Sequence, residues 1–258
     1  MKIKTEATPS DEKSGGHWYT STGLSAHGAT LREARKENLF PSVTTVLGIK
    51  SKPGLDAWKR NEAILSALTL PQNTGESAED FAVRVAIDMD STASRASSIG
   101  TSIHDWAENY CNKTPISPPT GYEQVCYKLQ CWIDENLSDD GESEKSMVSA
   151  IGYAGRIDWI GTCKKTGLPM IVDFKTQNIK TGRKPTFYPE WCYQLTAYSN
   201  GEMPVKLVNV AISSNVENPV IAEKEWCAEE KANGWEIFKH CLKIWQLERG
   251  YTARLVDI

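Results

Sequence analysis

The residues best suited to chemistry in this chain sit in three short stretches. They are Gly155-Arg156-Ile157-Asp158, Asp173-Phe174-Lys175-Thr176 and Gln194-Leu195-Thr196-Ala197-Tyr198. Side chains alternate along a strand, so Asp173 and Lys175 point the same way as Ile171, while Met170, Val172 and Phe174 fill the opposite face. On its own, such a carboxylate beside an ammonium is the ordinary salt bridge of a strand end. Asp158 changes the balance. The connection Lys164-Lys165-Thr166-Gly167 is tight, which predicts an antiparallel hairpin that sets Asp158 beside Asp173, with Arg156 on the side of Asp158. Two like charges so close repel unless a cation lies between them. A hard divalent ion bound through oxygen, Mg²⁺ or Mn²⁺, resolves that repulsion. Lys175 then lies beside a metal-bound water that it can orient or help to deprotonate. The set suits phosphodiester hydrolysis: one ion polarises the phosphoryl oxygen and activates water, and a second can stabilise the leaving oxygen.

Other segments complete the candidate site. His104 and Glu108 are one helical turn apart and share a face. A lone histidine on a helix is usually structural, and only the downstream carboxylates make this one a candidate ligand. Gly100, a turn earlier, leaves room beside the imidazole for a close-approaching ligand. Gln194 and Tyr198 also share a helix face. Either can hydrogen-bond a phosphate, and the tyrosine can stack on a base. Lys180, Arg183 and Lys184 fall in a polar loop over 176–189, and Lys50, Lys52, Lys59 and Arg60 form an earlier basic run. These cations suit phosphate contacts, although a solvated helix face explains the earlier run equally well.

A scaffold has to bring these segments together. Helices are expected over 29–38, after Ser42 as N-cap, and over 54–68 with Leu55, Trp58 and Ile64 buried. Ser77 and Asp80 resemble a capping box that opens another helix, and Ser91 or Thr92 is expected to start a separate one that runs to Cys111. Pro115, Pro118 and Pro119 interrupt the helical pattern, which resumes over 122–137 with Val125, Leu129, Trp132 and Ile133 on one stripe. From Lys145 the period becomes that of strands, expected over 147–151, 155–163 and 168–175. A helix over 190–200, strands over 206–213 and 220–225, and an amphipathic helix over 228–249 follow. This order predicts an α/β fold with a mixed central sheet and helices on both faces. Residues 17–258 are expected to form one domain, with a helical N-terminal part (17–118) and an α/β core (119–258). Residues 1–16 are polar, end in Gly15-Gly16 and read as a mobile tail.

Bulk composition bounds the rest. A chain of 258 residues, 40% hydrophobic and 24% charged, suits a soluble protein with a substantial core. Net charge is −4, so any nucleic-acid surface must be a local basic patch. The seven cysteines are odd in number and contain no C-x-x-C pair, which argues for free thiols and against a disulfide framework or structural zinc. Their positions also do not suit an iron–sulfur cluster. No apolar run approaches membrane-spanning length, and an intracellular, cytoplasmic protein with no membrane role is expected.

Taken together, four motifs in order resemble the PD-(D/E)XK nuclease superfamily in its RecB-like branch. They are Gly100-Thr101-Ser102-Ile103-His104 with Glu108, Gly155 to Asp158, Asp173 to Thr176, and Gln194 to Tyr198. The segment Pro41-Ser42-Val43-Thr44-Thr45-Val46-Leu47 is similar to one that precedes the His motif in phage exonuclease-like proteins and in the mitochondrial genome-maintenance exonuclease. The resemblance implies a restriction-endonuclease-like core with an N-terminal helical extension. It implies that His104, Asp158, Asp173 and the Phe174 carbonyl bind Mg²⁺ or Mn²⁺, as one or two ions. Lys175 would be catalytic, and Glu108 would sit behind the ligands or join them. Gln194 and Tyr198 would position DNA, with Arg156, Lys180, Arg183 and Lys184 as further contacts. The implied activity is a DNA exonuclease of phage or prophage origin, acting on an end or a single strand in a bacterial cytoplasm during recombination, repair or replication. A recombination or single-strand-binding protein is a fitting partner. The alternatives are a structure-specific endonuclease or nickase and, in another class, a catalytically silent DNA-binding recombination partner. No Walker A loop accompanies the motifs, so any helicase would be a separate chain.

Overall fold

The computed structural model describes residues 16–202 and 205–255. All of the expected mobile tail except Gly16 lies outside the described residues. The chain begins with β1 (Trp18–Tyr19), α1 (Leu31–Glu37), β2 (Phe40–Pro41) and α2 (Val43–Leu47). The first two strands pair antiparallel in a small sheet of their own. Ser42 caps α2, accepting the Thr45 amide at 2.9 Å, as its position between Pro41 and an apolar run predicts.

Two long helices follow, α3 (Pro53–Thr69) and α4 (Ala78–Cys111). Ser77 accepts the Asp80 amide at 3.1 Å and starts α4 where expected. No new helix starts at Ser91 or Thr92, however. Nothing between them and the cap can break a helix, so α4 runs unbroken for 34 residues. The burial expected along α3 is also corrected. Leu55 and Ile64 are exposed, Trp58 is half-buried, and only Ser66 is fully buried. The physical reason is that α3 packs mainly on α4, where Ser66 donates to Asp88 at 2.8 Å, and not into the core of the sheet.

The α/β part contains α5 (Glu123–Asn136), β3 (Glu142–Ser149), β4 (Tyr153–Thr162), β5 (Pro169–Gln177), α6 (Pro189–Tyr198), β6 (Lys206–Ser213), β7 (Ile221–Glu225) and α7 (Ala228–Arg249). The five strands form one mixed sheet in the order β3-β4-β5-β6-β7. Neighbours are antiparallel except β5 and β6, which run parallel and are joined through α6. Alternation on β5 divides the core as the sequence predicts. Met170, Val172 and Phe174 pack with Ile103, Trp106, Leu129 and Ile133 of α4 and α5. Ile171 packs on the other face with Leu195, Phe238 and Trp245 of α6 and α7. Among the described residues no helix is long and apolar enough to cross a membrane.

Candidate active site

The site lies where the β4–β5 ladder stops. The last rung on that side pairs Trp159 with Val172, and one step further in the same register would set Asp158 opposite Asp173. The Phe174 amide instead donates to Asp158 Oδ2 at 2.7 Å. A side-chain carboxylate thus takes the place of a strand partner and is fixed at the fork between the strands.

Asp173 is wholly buried. Lys175 Nζ donates to its Oδ1 and Asn209 Nδ2 to its Oδ2, both at 2.6 Å. Asn209 is the parallel partner of Asp173 on β6, and the Trp226 indole N–H donates to Asn209 Oδ1 at 2.7 Å. This relay orients Asp173 from behind and was not anticipated. A detectable signal existed: Asn209 interrupts the apolar run Leu207-Val208-Asn209-Val210-Ala211-Ile212 and must find a partner when buried.

His104 reaches the fork from α4, with Nδ1 3.6 Å from Asp158 Oδ2 and its ring edge-on to Phe174 at 6.3 Å between centroids. Burial and then the Lys175 charge lower its pKa, against Asp173, Asp105 and the Phe174 carbonyl. The neutral imidazole that results is the form that binds metal. Burial raises the pKa of both Asp158 and Asp173; Lys175 opposes this in each case, and the charge of Asp158 adds to the rise at Asp173.

The expected room for a ligand beside Gly100 is not there. A Cβ on Gly100 would lie 2.8 Å from Thr176 Oγ1, so the glycine lets α4 approach the end of β5. Gln194 borders a cleft beside Lys175, whereas Tyr198 is placed differently from a side chain that stacks on a base. They are 9% and 7% exposed, and Gln194 Nε2 donates to the Tyr198 hydroxyl at 2.8 Å. The tyrosine ring lies against β4, where a Cβ on Gly155 would come within 2.6 Å of it. Its face is not open for base stacking, and the pair forms part of the wall behind the carboxylates.

Arg156 is occupied too. Its Nε pairs with Glu144, and its Nη2 is 3.9 Å from Glu108. Its expected DNA contact would therefore compete with two carboxylates. Glu144 is a second residue the sequence reading passed over. It lies on β3 between the rungs Ser143–Trp159 and Lys145–Ile157, at the level of Asp158, with φ of 55°. A left-handed backbone is costly for a glutamate, on the order of 1–3 kcal/mol, and such strain concentrates at functional sites. Burial, with the Asp158 charge next, pushes its carboxyl up to about 7, against the pull of Arg156.

The donor types fit a hard divalent ion: an imidazole, one buried and one half-buried carboxylate and a nearby backbone carbonyl. The carboxylate oxygens are bonded to Lys175, Asn209 and the Phe174 amide, and among the described residues no three His, Cys, Asp or Glu side chains already form a metal cage.

A cleft opens beside Lys175 and Gln194, and Lys180, Arg183 and Lys184 line it. The loop that carries them is tied at its base by Gln177 and Thr186, which exchange bonds of 2.8 and 3.2 Å. Buried Ile179 anchors it further, its carbonyl accepting from Asn215 and Asn218.

No family model and no curated protein matches the chain. Among solved structures it is similar to one described as "Crystal structure of SSO0001", with 16% identity over 50% of this chain and 68% of that one and a TM-score of 0.29. A likeness at that level carries no argument about activity.

Proposed function

We propose that this protein is a Mg²⁺- or Mn²⁺-dependent deoxyribonuclease with a restriction-endonuclease-like core, acting as an exonuclease in phage-type recombination, repair or replication. The observation that carries the reading is the meeting of His104, Asp158, Asp173 and Lys175, from α4, β4 and β5, at one fork in the sheet. A salt-bridged strand end does not explain a histidine with a lowered pKa and a second, half-buried carboxylate at the same point.

In this reading His104, Asp158, Asp173 and the Phe174 carbonyl hold the metal. A divalent ion bound there would polarise the phosphoryl oxygen and make water a better nucleophile. Asn209 and Trp226 keep Asp173 in one orientation, as outer groups commonly do for metal ligands. Lys175, released from Asp173 once that charge is shared, orients the attacking water and balances negative charge that develops on the phosphoryl group. Glu108 and Glu144 hold Arg156 beside Asp158.

The exonucleolytic mode follows from the motif resemblance. Incubation of end-labelled linear DNA and covalently closed circles with Mn²⁺ tests it. Release of short products from linear DNA only is the expected result. Nicking of circles without attack at ends would replace it with the endonuclease reading, and inertness towards both would leave the silent binding partner.

A further inference from the structure

Asp158 has two neighbourhoods. Towards β5 it meets His104, Asp173 and Lys175, the group read above as a metal site. Towards β3 it meets Arg156, Glu108 and Glu144. Local geometry brings this second set together. Arg156 and Asp158 are two apart on β4, so both side chains leave the same face of the sheet. Glu108 follows His104 by one turn of α4, so the helix that supplies the imidazole also supplies this carboxylate. Glu144 lies on β3 at the level of Asp158, where a φ of 55° takes it out of the regular ladder.

The guanidinium serves both glutamates. Its Nε pairs with Glu144, and its Nη2 is 3.9 Å from Glu108 Oε1. After burial, the charges that act on the Glu144 carboxyl are those of Asp158, Arg156 and Glu108. Three carboxylates on one side of a metal site would ordinarily draw in a second divalent ion. Here a cation of the chain itself already stands among them. Arginine stays charged at any working pH, and its planar fork can face two carboxylates at once. Formal charge agrees with this. Asp158, Asp173, Glu108 and Glu144 surround two fixed cations, Lys175 and Arg156. With all of them ionised, one divalent ion brings the set to neutrality, and a second would leave it positive.

We propose that Arg156 takes the place of a second metal ion, held there by Glu108 and Glu144, so that the site takes a single divalent ion between His104, Asp158 and Asp173. The ion rests on the nuclease reading above; the place of Arg156 rests on its contacts with the two glutamates.

The test counts ions and needs no substrate. The full chain is dialysed to equilibrium against Mn²⁺ at about pH 8, where the ligands are ready to bind, and bound metal is counted above the level that Asp158→Asn retains. Wild type and Arg156→Lys are expected to hold about one Mn²⁺ per chain, and Arg156→Met about two. Methionine keeps an apolar stem like that of arginine, so charge is what changes. Adding Glu144→Gln to Arg156→Met should return the count to about one. Thermal melts establish that each variant is folded, and Arg156→Gln replaces Arg156→Met if that variant is not. Two ions in wild type, or only one in the folded, uncharged Arg156 variant, overturns the proposal and leaves the nuclease reading standing. No bound Mn²⁺ in wild type removes the metal site itself, and the proposal with it.

Discussion

Asp173 is held on every side: Lys175 and Asn209 bond its two oxygens, Asp158 stands next in register, and no part of it reaches solvent. Because burial raises the pKa of Asp158 and Asp173, the folded metal-free protein keeps protons on them at pH values where the unfolded chain has lost them. Their contribution to stability therefore falls as pH rises above the ordinary carboxylate range. His104 is shifted downwards, so its contribution rises as pH climbs from the lowered folded value through the ordinary imidazole value. Metal binding needs both carboxylates ionised and the imidazole neutral, and all three requirements favour higher pH. Thermal melts with and without Mn²⁺ should show a larger stabilisation at about pH 8 than at about pH 5, and almost none in Asp173→Asn. An equal shift at both pH values, or one retained in Asp173→Asn, argues against a metal at this point. At this scale the sequence was legible wherever alternation and a short hairpin fix neighbours, as for Asp158, Asp173 and Lys175. Glu144 and Asn209 depend on the registers of β3 with β4 and of β5 with β6, which are set by tertiary pairing; Asn209 leaves only the faint mark of a polar residue within an apolar run, and Glu144, within the polar stretch 142–146, leaves none.

Elements were read best where local chemistry marks their ends. Ser42 and Ser77 cap as expected, and β6 and α7 span the anticipated residues. The misreadings have a common cause. Ser91 and Thr92 have cap chemistry but lie in a stretch that was already helical, and the apolar residues of α3 suggested burial although α3 packs mainly on α4 and not into the core. Gly100 and Gly155 carry a second lesson, because each marks close packing between elements. Gly155 lets β4 pass the Tyr198 ring, and an alanine there would set its Cβ 2.6 Å from Tyr198 Cε1 and 3.3 Å from Val43 Cγ2. Gly155→Ala is expected to cost about 1–3 kcal/mol through overpacking. Denaturant unfolding measures this, and combination with Tyr198→Leu should recover part of the loss. Unchanged stability in Gly155→Ala would mean that the ring does not pack against β4.

For the whole molecule, charge is distributed unevenly. The chain is acidic overall, yet the cleft gathers Lys52, Lys180, Arg183 and Lys184 beside the candidate site. Bulk composition could not reveal this, because Lys52 lies far in sequence from Lys180, Arg183 and Lys184. If those four neutralise phosphates of a bound single strand, log affinity should fall with log salt with a slope of about −3. Arg183→Ala with Lys184→Ala should roughly halve that slope, to about −1.4. A slope that the double substitution leaves unchanged would place the phosphates elsewhere. The site is likewise a property of the whole fold, since α4, β4, β5 and β6 each supply part of it.

The central claim is that His104, Asp158, Asp173 and Lys175 act together in hydrolysing DNA. Its most direct test is the initial rate of release from end-labelled single-stranded DNA in Mn²⁺, for wild type, Lys175→Ala and His104→Ala. The account predicts clear turnover in wild type that EDTA abolishes, with a loss of at least about 100-fold in each variant while binding in EDTA is retained. Equal rates in wild type and Lys175→Ala, or no metal-dependent release from any of the three, would contradict it.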